Sequence, residues 1–120
     1  MHEYSLAKQI IQMAESYAES SGALRVTVIN LVIGGNSGCA ADSLELYFSI
    51  IAEGSLCAGA RLNIEHVIPK LKCKICGDLF ERTPFKFKCP KENCPGEGEP
   101  TEIGREFYIK SIVIEDNNGD

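Results

Sequence analysis

The sequence predicts an α+β fold: two helices on a three-stranded sheet, with a zinc-ribbon-like module of four cysteines inserted ahead of the last strand. Three observations support it. Helical apolar stripes alternate with β-branched runs along the first 68 residues. The pairs Cys73-x2-Cys76 and Cys89-x4-Cys94 then lie in a stretch without regular apolar periodicity. Finally, the run after that stretch is too apolar to stand alone, so it is expected to return to the sheet the chain left. The division expected is 1–68 plus 105–120 for the α+β body and 69–104 for the inserted module.

Each element has a physical signature. Residues 5–21 carry Leu6, Ile10, Met13, Ala14 and Tyr17 at helical spacing, a stripe suited to core packing. Ser5 is a candidate cap and Gly22 a stop. Residues 24–33 (LRVTVINLVI) are β-branched and nearly continuous, as in a strand buried on at least one face. The run from Gly34 to Gly38 reads as a loop; it lacks the Lys-Ser/Thr of a phosphate-binding loop.

A second helix is expected over about 43–57, with Asp42 and Glu45 as a capping box. Its apolar face would be Leu44, Tyr47, Phe48, Ile51 and Leu56, and Gly59 marks the exit. Residues 61–68 (RLNIEHVI) alternate as a strand, placing Leu62, Ile64, His66 and Ile68 on one face. Pro69 breaks the pattern. Strand character returns over 105–115 (REFYIKSIVIE), and the acidic tail from Asp116 to Asp120 is expected to fray.

Composition narrows the function classes. Hydrophobic residues make up 44% of 120 residues, enough for a real core. No apolar run approaches the roughly 20 residues a membrane-spanning helix needs, and the start lacks the basic and apolar regions of a signal peptide. The expectation is a cytoplasmic protein without a membrane partner. A net charge of −5 disfavours nucleic acid as the main partner. Lysines, one arginine and phenylalanines are interleaved between residues 70 and 91, but Asp78, Glu81, Glu92, Glu97, Glu99 and Glu102 in the wider segment 70–104 nearly cancel that charge.

Paired cysteines in such a chain read as metal ligands before disulfides. Twelve residues separate the two pairs, room for a hairpin between two metal-binding turns. Four thiolates in a tetrahedron suit zinc, with a rubredoxin-like iron site or disulfides as rivals. A segment this small cannot bury a core of its own, and structural zinc contributes about 10–16 kcal/mol to folding in small peptides. Zinc enclosed by four thiolates has no open position, and no nucleophile–base set is evident, so no enzymatic activity is expected. Cys39 and Cys57 read as small apolar fillers, and His66 as a half-buried or hydrogen-bonded histidine.

The amino end offers different chemistry. The terminal amine of Met1, the amide nitrogens of His2 and Glu3, and the His2 imidazole lie within one short stretch. With the amides deprotonated, these nitrogens can surround a metal in one plane, a geometry that nickel(II) and copper(II) favour and zinc does not. Glu3 could add a carboxylate or cap the helix that follows.

From Met1 to about Ile114 the chain resembles the HypA/HybF family of hydrogenase nickel-maturation proteins. The residues that carry the likeness are the start Met1-His2-Glu3-Tyr4-Ser5-Leu6-Ala7, the stretch 44–52 (LELYFSIIA), Glu53-Gly54-Ser55, Gly59-Ala60-Arg61-Leu62, the cysteine pairs, Gly104-Arg105-Glu106, and Ile109-Lys110-Ser111-Ile112. The resemblance implies Ni(II) as transferred cargo at Met1, His2 and Glu3, and structural Zn(II) on Cys73, Cys76, Cys89 and Cys94. It also implies delivery of nickel to the large subunit of [NiFe]-hydrogenase, cooperation with a HypB-type GTPase, and in some bacteria a role in urease maturation. A homodimer through a swapped strand or helix is compatible with the inserted module. Two departures stand out: the second cysteine pair has two residues more than the family's Cys-Pro-x-Cys, and the loop 34–41 (GGNSGCAA) differs from the family's Gly-Glu-Leu-Ser-like sequence. The alternatives are a zinc-ribbon adaptor binding nucleic acid or protein, and a rubredoxin-like electron carrier.

Overall fold

The computed structural model describes residues 2–82 and 86–116. The chain runs α1 (Glu3–Ser20), β1 (Ala23–Gly34), α2 (Ala41–Ile51), β2 (Arg61–Val67), β3 (Lys70–Cys73), β4 (Leu79–Glu81), β5 (Gly98–Pro100) and β6 (Phe107–Asp116). Two three-stranded sheets result, ordered β2-β1-β6 and β4-β3-β5. The first sheet is mixed. β1 pairs in parallel with β2, from Val28 opposite Arg61 to Gly34 opposite Val67, and antiparallel with β6. A parallel pair needs a crossover, and α2 supplies it. The last strand does return to the first sheet, across the whole inserted segment. Asp116 ends that strand, and residues 117–120, the rest of the tail expected to fray, lie outside the described residues.

The helices cover one face of this sheet. The core joins Ala7, Ile10, Ile11, Ala14 and Ala18 of α1 with Val26, Ile29, Leu31 and Ile33 of β1 and Leu44 and Phe48 of α2. The buried Ile, Val, Leu and Phe side chains among these contribute about 1.5–3 kcal/mol each. The α1 stripe is rotated from the expected one. Ile10 and Ala14 are buried, but Met13 is 60% and Tyr17 48% exposed, while the alanines let the helix sit close to the sheet. In α2, Tyr47 is 37% exposed. Leu56 lies past the end of the helix, which stops at Ile51 instead of 57, before the positive-φ turn at Gly54.

Neither expected cap forms. α1 begins before Ser5, with His2 as its N-cap, and α2 begins after Ala40, which leaves Asp42 inside the first turn. Gly22 does terminate α1, at φ +68, where a glycine avoids the steric cost of the left-handed region. On the open sheet face, Asn63 donates to Asn30 at 3.1 Å and Asn30 to Ser111 at 2.9 Å, a polar ladder across three strands.

The second sheet projects from the first. The radius of gyration is 18.8 Å, against about 13.6 Å for a compact chain of this length. Glycines and a proline make the junction. Gly34, at the end of β1, donates to Glu106 O at 2.8 Å; Gly35 to Val67 O at 3.0 Å; Asn36 to Gly104 O at 2.7 Å. A Cβ on Gly34 would lie 2.1 Å from Gly104 O, and one on Gly104 2.6 Å from Pro69 Cα, so side chains are excluded where the outgoing and returning segments cross β1. Among the described residues, no helix is long and apolar enough to cross a membrane.

Candidate metal centres

The second sheet gathers the four cysteines. The Cys73, Cys76, Cys89 and Cys94 Sγ atoms all lie within 4.8 Å of one another, with Cys73–Cys94 at 3.6 Å and Cys76–Cys89 at 3.8 Å. A tetrahedron with metal–sulfur bonds of about 2.3 Å has sulfur–sulfur edges of about 3.8 Å. The donor set and its spacing therefore fit one zinc ion, and this is the only such gathering of three or more His, Cys, Asp or Glu ligand atoms among the described residues.

Local backbone explains the convergence. In the first turn, Gly77 N–H donates to Cys73 O at 3.0 Å and Gly77 adopts φ +79. The Cys76 backbone N–H points at Cys73 Sγ from 3.4 Å; that N–H, first among the causes, pulls the Cys73 thiol down to about 6. In the second turn, Cys94 N–H donates to Lys91 O at 3.2 Å, with Asn93 at φ 66. Asparagine tolerates this left-handed region better than most residues. The two extra residues of Cys89-x4-Cys94 are thus taken up in a turn, without moving the sulfurs apart.

The turns are also tied together. Cys89 N–H donates to Gly96 O at 2.9 Å and Lys74 N–H to Glu97 O at 3.0 Å, while Lys91 pairs with Asp78 at 3.2 Å. Gly96 is buried behind the thiols, where a Cβ would come 2.3 Å from Cys73 Sγ and 3.4 Å from Cys94 Sγ. Sequence reading missed this residue and Asn93, although both sit in the Cys-Pro-Lys-Glu-Asn-Cys-Pro-Gly run that carried the metal motif.

The amino end is built around α1. Met1 lies outside the described residues. His2 is exposed, with extended backbone at φ −91 and ψ 105, and its carbonyl accepts the first helical hydrogen bond, from Leu6 N–H at 3.1 Å. The N–H groups of the first four positions of a helix have no partner within it. His2, at the cap, and Glu3, the first helical residue, both hold such positions, so removing their amide protons breaks no bond of the helical ladder.

Glu3 has a second role. Its Oε2 accepts a hydrogen bond from Ala40 N–H at 3.1 Å, which lowers the Glu3 carboxyl below its ordinary value. This carboxylate lies at the start of α2, where a helix dipole favours negative charge, and it replaces the local cap that α2 lacks. Of the two uses foreseen for this side chain, the capping contact is seen, and it reaches the start of α2.

The remaining candidates separate. Cys57 is fully buried, and burial pushes its thiol up to about 11. Cys39 is half-buried against the core, with burial first and the Glu3 charge second raising its thiol. His66 is exposed instead of half-buried, because it lies where β2 leaves the helices for the junction.

Comparison with known proteins agrees with this architecture. The model of a family described as hydrogenase/urease nickel incorporation, metallochaperone, hypA matches residues 1–114. The hydrogenase maturation factor HypA of Caldanaerobacter subterraneus subsp. tengcongensis is 39% identical over 116 residues, covering 96% of this chain and 100% of the relative. That of Dehalococcoides mccartyi is 31% identical, covering 98% of each. Among solved structures, the solution structure of the Ni metallochaperone HypA from Helicobacter pylori superposes with a TM-score of 0.62 at 25% identity, covering 98% of this chain and 100% of that one. With the whole length matched by family model, relatives and fold alike, the chain belongs to the HypA family of hydrogenase/urease nickel-incorporation metallochaperones.

Proposed function

We propose that this chain binds Ni(II) through the Met1 amine, the His2 and Glu3 amide nitrogens and the His2 imidazole, and delivers it during [NiFe]-hydrogenase maturation. The observation that carries the reading is the placement of His2 and Glu3 at the two outermost positions of α1. Their amides stand outside the helical hydrogen-bond ladder, and the imidazole beside them is exposed. A cation at a helix N-terminus is opposed by the helix dipole. Two amidate nitrogens reverse the local charge, so binding strengthens as pH rises. Release follows the same logic, since protonating an amide opens the site and lets the receiving protein's ligands take the ion.

In this reading Cys73, Cys76, Cys89 and Cys94 hold one zinc ion, which supplies shape and no reactive position. The chain then divides into 1–68 with 105–120, the nickel-binding body, and 69–104, the zinc module. The receiving protein is the large subunit of [NiFe]-hydrogenase, a HypB-type GTPase cooperates in the cytoplasm, and urease maturation is a second destination. The chain acts as a carrier and catalyses no reaction of its own.

The test is nickel titration of protein with a free amino terminus, confirmed by intact mass, beside an N-terminally acetylated sample. The free form takes up Ni(II) stoichiometrically and the acetylated form does not, with zinc content the same in both. Equal nickel affinity in the two samples overturns the assignment.

A further inference from the structure

One edge of the first sheet is open and regular. β2 stands at the end of the order β2-β1-β6, and from Arg61 to Val67 it pairs with β1 without a register shift. Among the described residues, no backbone hydrogen bond outside that ladder reaches residues 61–66; only Val67 O is taken, by Gly35 N–H at 3.0 Å. The outward N–H and C=O groups of such an edge are a template for another strand. β6, the opposite edge, shifts register three times against β1, and irregularity of that kind blunts an edge.

A groove of about 350 Å³ opens between α2 and the start of this strand. Its floor is apolar: Phe48 and Ala52, both buried in the core, and the half-buried Leu62 of β2. Glu45 and Glu53 line it as well, and both are exposed. Among the described residues, neither is held in an ion pair. From residue 45 to residue 53 the chain, helical as far as Ile51, advances about 12 Å. Side chains four residues apart on one face of a strand are separated by about 13 Å. The two carboxylates are thus spaced to meet alternate side chains of an extended segment lying against β2.

We propose that this edge and groove form a docking site for an extended, basic segment of a partner protein, which adds to the sheet beside β2 and lays arginine or lysine side chains along the groove. Backbone pairing supplies the attachment, and the groove selects the sequence. Long basic side chains suit it, because their aliphatic stems cover an apolar floor while their charged heads reach the carboxylates. Charge argues against a second copy of this chain. Pairing through its own β2 would set Glu45 and Glu53 against their counterparts, and like charges across an interface oppose it. None of the lining residues belongs to the four-cysteine centre or to the amino-terminal one, so the docking site stands apart from the metal assignments.

The experiment titrates the full, zinc-loaded chain with an eight-residue peptide of alternating arginine and threonine, capped at both ends, up to millimolar concentration. NMR follows the amides. The peptide binds, and alternate amides of β2, those facing away from β1, become protected from hydrogen exchange. The same peptide with glutamate in place of arginine does not bind. The double variant Glu45→Lys, Glu53→Lys, which alters exposed side chains only, binds the arginine peptide about tenfold more weakly, since each attraction becomes a repulsion. No binding of the arginine peptide overturns the proposal, as does binding without protection of alternate β2 amides, which would be adsorption by charge alone. Unchanged affinity in the double variant, with zinc content and circular dichroism normal, overturns the role of the groove. Protection that grows with protein concentration in the absence of peptide would give the edge to a second copy and overturn the partner assigned here.

Discussion

The Glu3 carboxylate and the Ala40 backbone N–H are joined by a 3.1 Å hydrogen bond that ties the first turn of α1 to the start of α2. The bond favours the ionised carboxylate, and this N–H is the main reason the Glu3 carboxyl is lowered from 4.5. The folded value lies below the unfolded one. The contribution of this bond is therefore complete above about pH 4.5 and is lost as pH falls through the folded value. Titration of the Glu3 side chain by NMR gives a midpoint below 4.5, and the Ala40 amide resonance moves with it. Glu3→Gln removes that titration from Ala40. A Glu3 midpoint at or above 4.5 would show that the bond is absent in solution.

At the junction, Gly34→Ala destabilises the protein without touching either metal centre. The added Cβ lies 2.1 Å from Gly104 O, a backbone atom that cannot swing aside. Forcing an extra methyl group into such a crossing costs about 1–3 kcal/mol. Chemical denaturation reads the loss, and hydrogen exchange locates it. The Asn36 and Lys70 amides, which donate to Gly104 O and Ile103 O, exchange faster in the variant. An unchanged denaturation midpoint would mean that the two segments separate freely there.

These examples mark what could be read from the chain. The strands were legible because β-branched runs have few other uses, and β1 and β2 lie within a residue or so of their expected bounds. The return of β6 followed from its apolarity alone. Helix phase was harder to read. Ala7, Ala14 and Ala18 are all completely buried, yet alanine weighs little in an apolar stripe next to Met13 and Tyr17. The caps were illegible for a different reason: a local rule placed Asp42 at the start of α2, whereas the acceptor there comes from Glu3, 37 residues away. The cysteine motif announced the metal site, but nothing in the spacing revealed that Gly96 backs the sulfurs.

Gly96 gives the sharpest test of the four-cysteine centre. Gly96→Ala keeps every thiol, yet its Cβ would sit 2.3 Å from Cys73 Sγ. Either the Cys89–Gly96 backbone bond or the sulfur must yield. Zinc affinity falls by about tenfold, within the range seen when support around a metal is disturbed. Cys76→Ser removes a ligand outright, so zinc content falls below stoichiometric under chelator competition and the module loosens. The two variants rank in that order. Unchanged zinc retention in Cys76→Ser would remove Cys76 from the ligand set, and unchanged affinity in Gly96→Ala would show that the sulfurs have room to move.

At the amino end, His2→Ala separates the imidazole from the backbone nitrogens. The substitution leaves the Glu3–Ala40 bond and the zinc module intact, because the exposed His2 side chain caps nothing. Fold and zinc content are therefore unchanged. Three backbone nitrogens remain, but the fourth in-plane donor is gone and water is a poor substitute for it around nickel(II). Affinity falls by about a hundredfold or more, beyond what loss of an outer-shell partner causes. In the parent protein, nickel affinity rises with pH, because each bound amide must first give up its proton. In His2→Ala that rise persists at weaker affinity, since the amides are still there. Calorimetry across pH measures both quantities. A variant with full affinity would place nickel elsewhere on the chain, and a parent protein with pH-independent binding would show that the amides keep their protons.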